Sequence, residues 1–128
     1  MIGKNNIFNI RAGQKWVGSV GATRGFVDFL SDIYAVRSFL VLMRTYRHKY
    51  FLRSLGQIIA RFAPPSENDT SAYVAFVAGS MGVPSNYLLC RDSDYYLLCV
   101  ACARFETGTR ISLSKVQGVA ESFNILIC

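Results

Sequence analysis

The side chains best suited to chemistry concentrate in one turn, Ala63-Pro64-Pro65-Ser66-Glu67-Asn68-Asp69-Thr70. No acid lies between Asp32 and Glu67, whereas Arg37, Arg44, Arg47, Lys49, Arg53 and Arg61 all fall in that interval. The turn then supplies two carboxylates, an amide and two hydroxyls on a proline-stiffened loop. Such density suits a binding or catalytic edge. Asp69-Thr70 stands directly ahead of an apolar-periodic run and reads first as a helix N-cap. Glu67 and Asn68 are not needed for capping and can reach a substrate, although a solvated loop acid is the plain alternative for Glu67.

A second carboxylate, Glu106, lies in Arg104-Phe105-Glu106-Thr107-Gly108-Thr109-Arg110, where a helix is expected to end. A negative charge there opposes the helix dipole and asks for a reason. Either Arg104 and Arg110 neutralise it, or the helix end and partial burial raise its pKa and fit it for general acid work. Near the start of the chain, Asn5-Asn6-Ile7-Phe8-Asn9-Ile10-Arg11 gathers three amides and a guanidinium. These groups suit sugar hydroxyls or carboxylates, and asparagines also form turns.

Other reactive types carry less. His48 has no Ser or Cys at a useful spacing and reads as part of a basic face. Cys99 and Cys102 sit within an apolar helical run, and Cys90 and Cys128 do not complete a zinc ligand set with them. Free or buried thiols in a reducing compartment are expected, with neither a metal nor a cofactor.

These residues must be positioned by one domain of 128 residues, 52% hydrophobic and 17% charged, a composition that argues against disorder. The net charge of +6 predicts attraction to polyanions, with nucleic acid, anionic lipid and wall polymers all eligible. No apolar stretch follows Lys4 as in a secretory signal. The longest apolar runs, 38–43 and 95–103, fall far short of the roughly 20 residues that span a bilayer. Synthesis in a cytoplasm is therefore expected, and any action outside it would need delivery by something other than a standard signal.

The pattern predicts a mainly α, α+β fold: a β-hairpin over residues 1–31, then about five helices over 32–128. Gly21-Ala22-Thr23-Arg24 is the expected hairpin turn. A first helix runs from Ser31 or Asp32 to about Tyr50, with Val36, Phe39, Leu40, Met43, Tyr46 and Tyr50 on its apolar side. Arg37, Arg44 and His48 form a basic stripe roughly opposite. Ser54 caps a helix over 55–62 that must stop before Pro64. Further helices open at Asp69 or Thr70, at Asp92 or Ser93, and at Ser114, with stops at Gly82 and Gly108.

Together these segments resemble a family from phage and prophage genomes, usually described as structural or virion proteins and suspected of acting on peptidoglycan. Its members open with Asn-Asn-Pro-Gly-Asn-Ile-Arg, followed by a Trp and a Phe-rich hairpin. A helical Thr-Tyr pair, an Ile-Ile-x-x-Trp-Ala-Pro-Pro-x-Glu-Asn-Asp/Asn-Thr-x-x-Tyr block and a late Arg-x-Glu-x-Gly come next. The matching residues are Asn5, Asn6, Asn9, Ile10, Arg11, Trp16, Phe26, Phe29, Thr45 and Tyr46. They continue through Ile58 to Thr70 with Tyr73, and end at Arg104, Glu106 and Gly108. Three departures stand out: Ile7-Phe8 replaces Pro-Gly, Phe62 replaces the usual Trp, and Ala35 replaces a Gly.

The resemblance implies a lysozyme-like layout, with a hairpin lobe, a helical lobe and a groove for a peptidoglycan glycan strand. Glycoside hydrolysis uses an acid of raised pKa, often with a second carboxylate about 5 Å away for retention or up to about 9.5 Å for inversion. Single-acid transglycosylation is the other chemistry. The candidate acids are Glu67 and Glu106, with Asp69 a weaker third, and Asn9, Arg11, Asn68 and Arg61 are the expected substrate contacts. The alternatives are a non-catalytic virion or wall-binding module, partnered by phage virion proteins, and a basic nucleic-acid-binding protein. The last is the least expected, since no reading motif accompanies the charge.

Overall fold

The computed structural model describes residues 1–128. Two antiparallel strands, β1 (Ser19–Thr23) and β2 (Phe26–Phe29), precede five helices. These are α1 (Asp32–His48), α2 (Leu55–Phe62), α3 (Thr70–Met81), α4 (Asp92–Thr107) and α5 (Leu113–Ser122). The architecture is thus α+β and mainly α, as the pattern predicted.

The hairpin turns later than expected. Arg24 and Gly25 form the turn, both at positive φ (52° and 83°), while Gly21 to Thr23 remain in β1. Two consecutive positive φ values define the tight turn whose twist matches the flanking strands. Gly21, at φ 150°, instead marks an irregularity in the strand register.

β1 is fully exposed, whereas β2 alternates, turning Val27 and Phe29 inward. The N-terminal segment pairs along the other edge of β2. Val27 N–H donates to Ile10 O, and Phe29 N–H donates to Lys4 O. Asn6 is buried, and its amide ties Ile10 O, Val27 O and Ile10 N–H together. Asn5 donates to Phe29 O and Leu30 O. These two asparagines therefore build the fold. Ile7 and Phe8, the departures from Pro-Gly, join the same buried cluster as the helices, and Phe8 stacks on Phe39 with centroids 4.6 Å apart.

Helix ends follow local chemistry. Ser54 and Gln57 form a reciprocal capping box at α2. Asp69 Oδ1 accepts from Ala72 N–H at the start of α3. Gly82 and Gly108, both left-handed, close α3 and α4. α4 opens at Asp92, as expected, with Arg91 at the cap position, where Asp94 reaches back to accept from the Cys90 and Arg91 N–H groups. The last helix begins at Leu113, capped by Ser112 rather than Ser114.

α1 departs from expectation at its end. It stops at His48, so Tyr50 lies beyond it and stays exposed. The basic stripe is not free. The Arg37 guanidinium lies over the Phe123 ring, and His48 Nε2 is hydrogen-bonded to Ile127 O, because α5 and the C-terminal segment pack across that side. No helix is long and apolar enough to cross a membrane.

Candidate active-site groove

Three segments distant in sequence meet at one groove of about 580 Å³. The N-terminal segment brings Asn9 and Arg11, the α2–α3 turn brings Glu67 and Asn68, and the end of α4 brings Glu106. Arg61 enters from α2. Both leading candidate acids and all four expected substrate contacts therefore line a single concavity.

The joint between the N-terminal segment and α4 is specific. Thr107 Oγ1 donates to Ile7 O at 2.9 Å, which holds the last turn of α4 against the loop. Asn9, at φ 52°, then donates from Nδ2 to Glu106 Oε1 at 3.1 Å. Asparagine tolerates this left-handed backbone better than most residues do. Across the groove, Thr70 Oγ1 donates to Ala63 O at 2.7 Å, and the Glu67 and Asn68 N–H groups donate to Pro64 O. The turn is thereby folded by its own backbone together with the Thr70 and Asn68 side chains, Asn68 Nδ2 donating to Pro64 O, and Glu67 and Asn68 line the groove from it.

The two glutamates are in unlike surroundings. Glu67 pairs with Arg11 at 3.2 Å, and their side chains are 47% and 58% exposed. Arg11 also lies over the Phe26 ring. Glu106 has no cationic partner, so neither Arg104 nor Arg110 neutralises it. Burial raises its pKa above the ordinary carboxylate range, opposed by the Asn9 hydrogen bond and by the nearby Tyr73 hydroxyl. Asp69 does not line the groove, and its carboxylate is engaged as a cap.

Several groove groups lack partners. Asn9 Oδ1 and Trp16 Nε1 are buried without a hydrogen bond, as is the Tyr73 hydroxyl beneath. Buried polar atoms are ordinarily paired, and clusters of exceptions mark functional sites or sites for water or ligand. Tyr73 stands beside Glu106 and Cys102 but meets neither with good hydrogen-bond geometry. Its position three residues after Thr70 matched the motif block, but its place beside Glu106 was not apparent from that spacing. Trp16 was signalled as the one tryptophan and as the Trp that follows the opening motif of the resembled family.

No family model matches the chain. It is 36% identical over 111 residues to Protein P5 of Pseudoalteromonas phage PM2, an alignment covering 82% of this chain and 69% of that protein. The chain belongs to the Protein P5 family. A phage protein in that family agrees with the phage resemblance carried by the motifs. The groove described above is accordingly a candidate site on a member of the Protein P5 family.

Proposed function

We propose that this protein is a phage peptidoglycan-directed domain that cleaves the glycan strand, with Glu106 as general acid. The observation that carries this reading is Glu106 itself: half-buried in a groove, without a counter-ion, its pKa raised by desolvation. A carboxyl so placed keeps its proton to higher pH and can deliver it to a glycosidic oxygen. Asn9 orients the carboxyl through Oε1. The Glu67–Arg11 pair and Asn68 form a polar rim suited to sugar hydroxyls.

Glu67 is tied to Arg11, so Glu106 is the one groove glutamate without a cationic partner. That favours single-acid chemistry, in which the same group returns as base, over the two-carboxylate scheme. The net charge of +6 would hold the protein on an anionic wall. Such a domain suits a virion-associated component that meets the wall during entry.

The test is product analysis of purified sacculi incubated with the protein across pH and salt. Soluble muropeptides ending in 1,6-anhydro sugars are expected. Muropeptides with reducing ends would instead give Glu67 a direct part. Sedimentation with sacculi and no release at any condition would leave a wall-binding module and remove the enzyme.

A further inference from the structure

The groove does not end at Glu106. A second concavity of about 670 Å³ shares Gln14, Trp16, Leu42, Tyr46, Arg61 and Pro64 with the first, so the two form one trough. Its charge is different. Lys49 and Arg61 line it, and no carboxylate does. Neither cation has an acid within ion-pair distance, since the ion pairs of the molecule are Arg11–Glu67 and Lys115–Asp32.

Both cations are held by aromatic rings. The Arg61 guanidinium lies 3.7 Å from the Tyr50 centroid and 5.7 Å from that of Tyr46, and Lys49 Nζ lies 5.4 Å from Tyr50. Stacking occupies the face of a guanidinium and leaves its N–H edge available for a planar anion. A side chain already stacked also loses less freedom when a ligand arrives. The trough therefore carries an acid without a cationic partner at one end and pre-positioned, unpaired cations at the other.

We propose that the basic end is a subsite for a carboxylate of the peptide stem carried by the glycan strand. Arg61 takes the carboxylate through its N–H edge and Lys49 adds charge. The inference rests on the glycan reading of the groove, since a strand bound there would carry anionic stems into the same trough. Other anions, phosphate above all, share the charge but lack the sugar and peptide.

The test is a titration of the full chain followed by fluorescence of Trp16, the single tryptophan, which lines both parts of the trough. The probes are muramyl dipeptide, the same compound with its carboxylate amidated, inorganic phosphate and a single-stranded oligonucleotide. Muramyl dipeptide should bind about tenfold or more tightly than its amide, the discrimination expected of one charge-assisted hydrogen bond. Arg61→Gln and Lys49→Gln should each weaken it by a similar factor, with Arg61→Lys intermediate. Equal binding of acid and amide, no binding, no effect of either substitution, or equal binding of phosphate or the oligonucleotide would each overturn the subsite. Muramyl dipeptide has no glycosidic link between sugars to break. Binding without cleavage of sacculi therefore refutes the acid and keeps the subsite, and cleavage without binding does the reverse.

Discussion

Tyr73 offers a prediction whose sign is unusual for a core substitution. The residue is fully buried and its ring stacks on Phe105 with centroids 4.0 Å apart. Its hydroxyl has no hydrogen-bond partner, and burial pushes its pKa up. An unsatisfied buried hydroxyl costs about 1–3 kcal/mol, while Tyr→Phe retains the ring and its stacking. Allowing for the small void left behind, Tyr73→Phe should stabilise the protein by about 1 kcal/mol. For 128 residues, an unfolding entropy of about 2.1 cal/mol/K per residue makes this about 4 °C in Tm. Circular dichroism melts of wild type and variant at one pH give the answer. Cleavage of sacculi by the variant should fall, since the hydroxyl stands beside Glu106. Stabilisation with lost activity is the pattern of a residue kept for function at the expense of fold. A drop in Tm of several degrees would show that the hydroxyl is hydrogen-bonded in the folded protein, and the reasoning would fail.

Three further outcomes follow from the same geometry. Burial raises the folded-state pKa of Glu106, so its protonated form is favoured by folding; stability from this group is full below the ordinary carboxylate pKa of about 4.3 and is lost as pH rises through the raised value. Glu106→Gln should therefore match wild type in Tm near pH 4 and exceed it once pH has risen through the raised value, and a gap constant with pH would contradict the burial. Asp69→Asn keeps an N-cap oxygen, so denaturant midpoints and sacculus cleavage should both stay near wild type, whereas Asp69→Ala should lose about 1 kcal/mol. Phe8→Ala removes a fully buried ring stacked on Phe39 and should cost about 4 kcal/mol in urea unfolding; a loss under 1 kcal/mol would mean the N-terminal segment is not seated as described.

The helices were legible because their ends are written locally. Ser54, Asp69, Gly82 and Gly108 each act within a few residues, and each lies where the sequence placed it, with Gln57 added by the fold as the second half of the Ser54 cap. The hairpin turn was misplaced because Gly21 and Gly25 both permit positive φ, and only pairing with β2 decides between them. The covering of Arg37 and His48 was not legible for a related reason: it depends on Phe123 and Ile127, about eighty residues away. For the groove, the motif residues were legible one by one. Their meeting was not, because the Asn9–Glu106 and Ile7–Thr107 contacts bridge 97 and 100 positions. The sequence also left open whether Arg104 and Arg110 quench Glu106, which only the fold answers.

The central claim is that Glu106 is the acid and Glu67 is not. It is tested most directly by the rate of muropeptide release from sacculi by wild type, Glu106→Gln and Glu67→Gln at equal concentration. Glu106→Gln should lose about 10² to 10⁴-fold, the usual worth of a positioned general acid, with Glu67→Gln falling by about tenfold or less, as befits a half-exposed rim pair. Full activity in Glu106→Gln, or the opposite ranking of the two variants, would contradict the account.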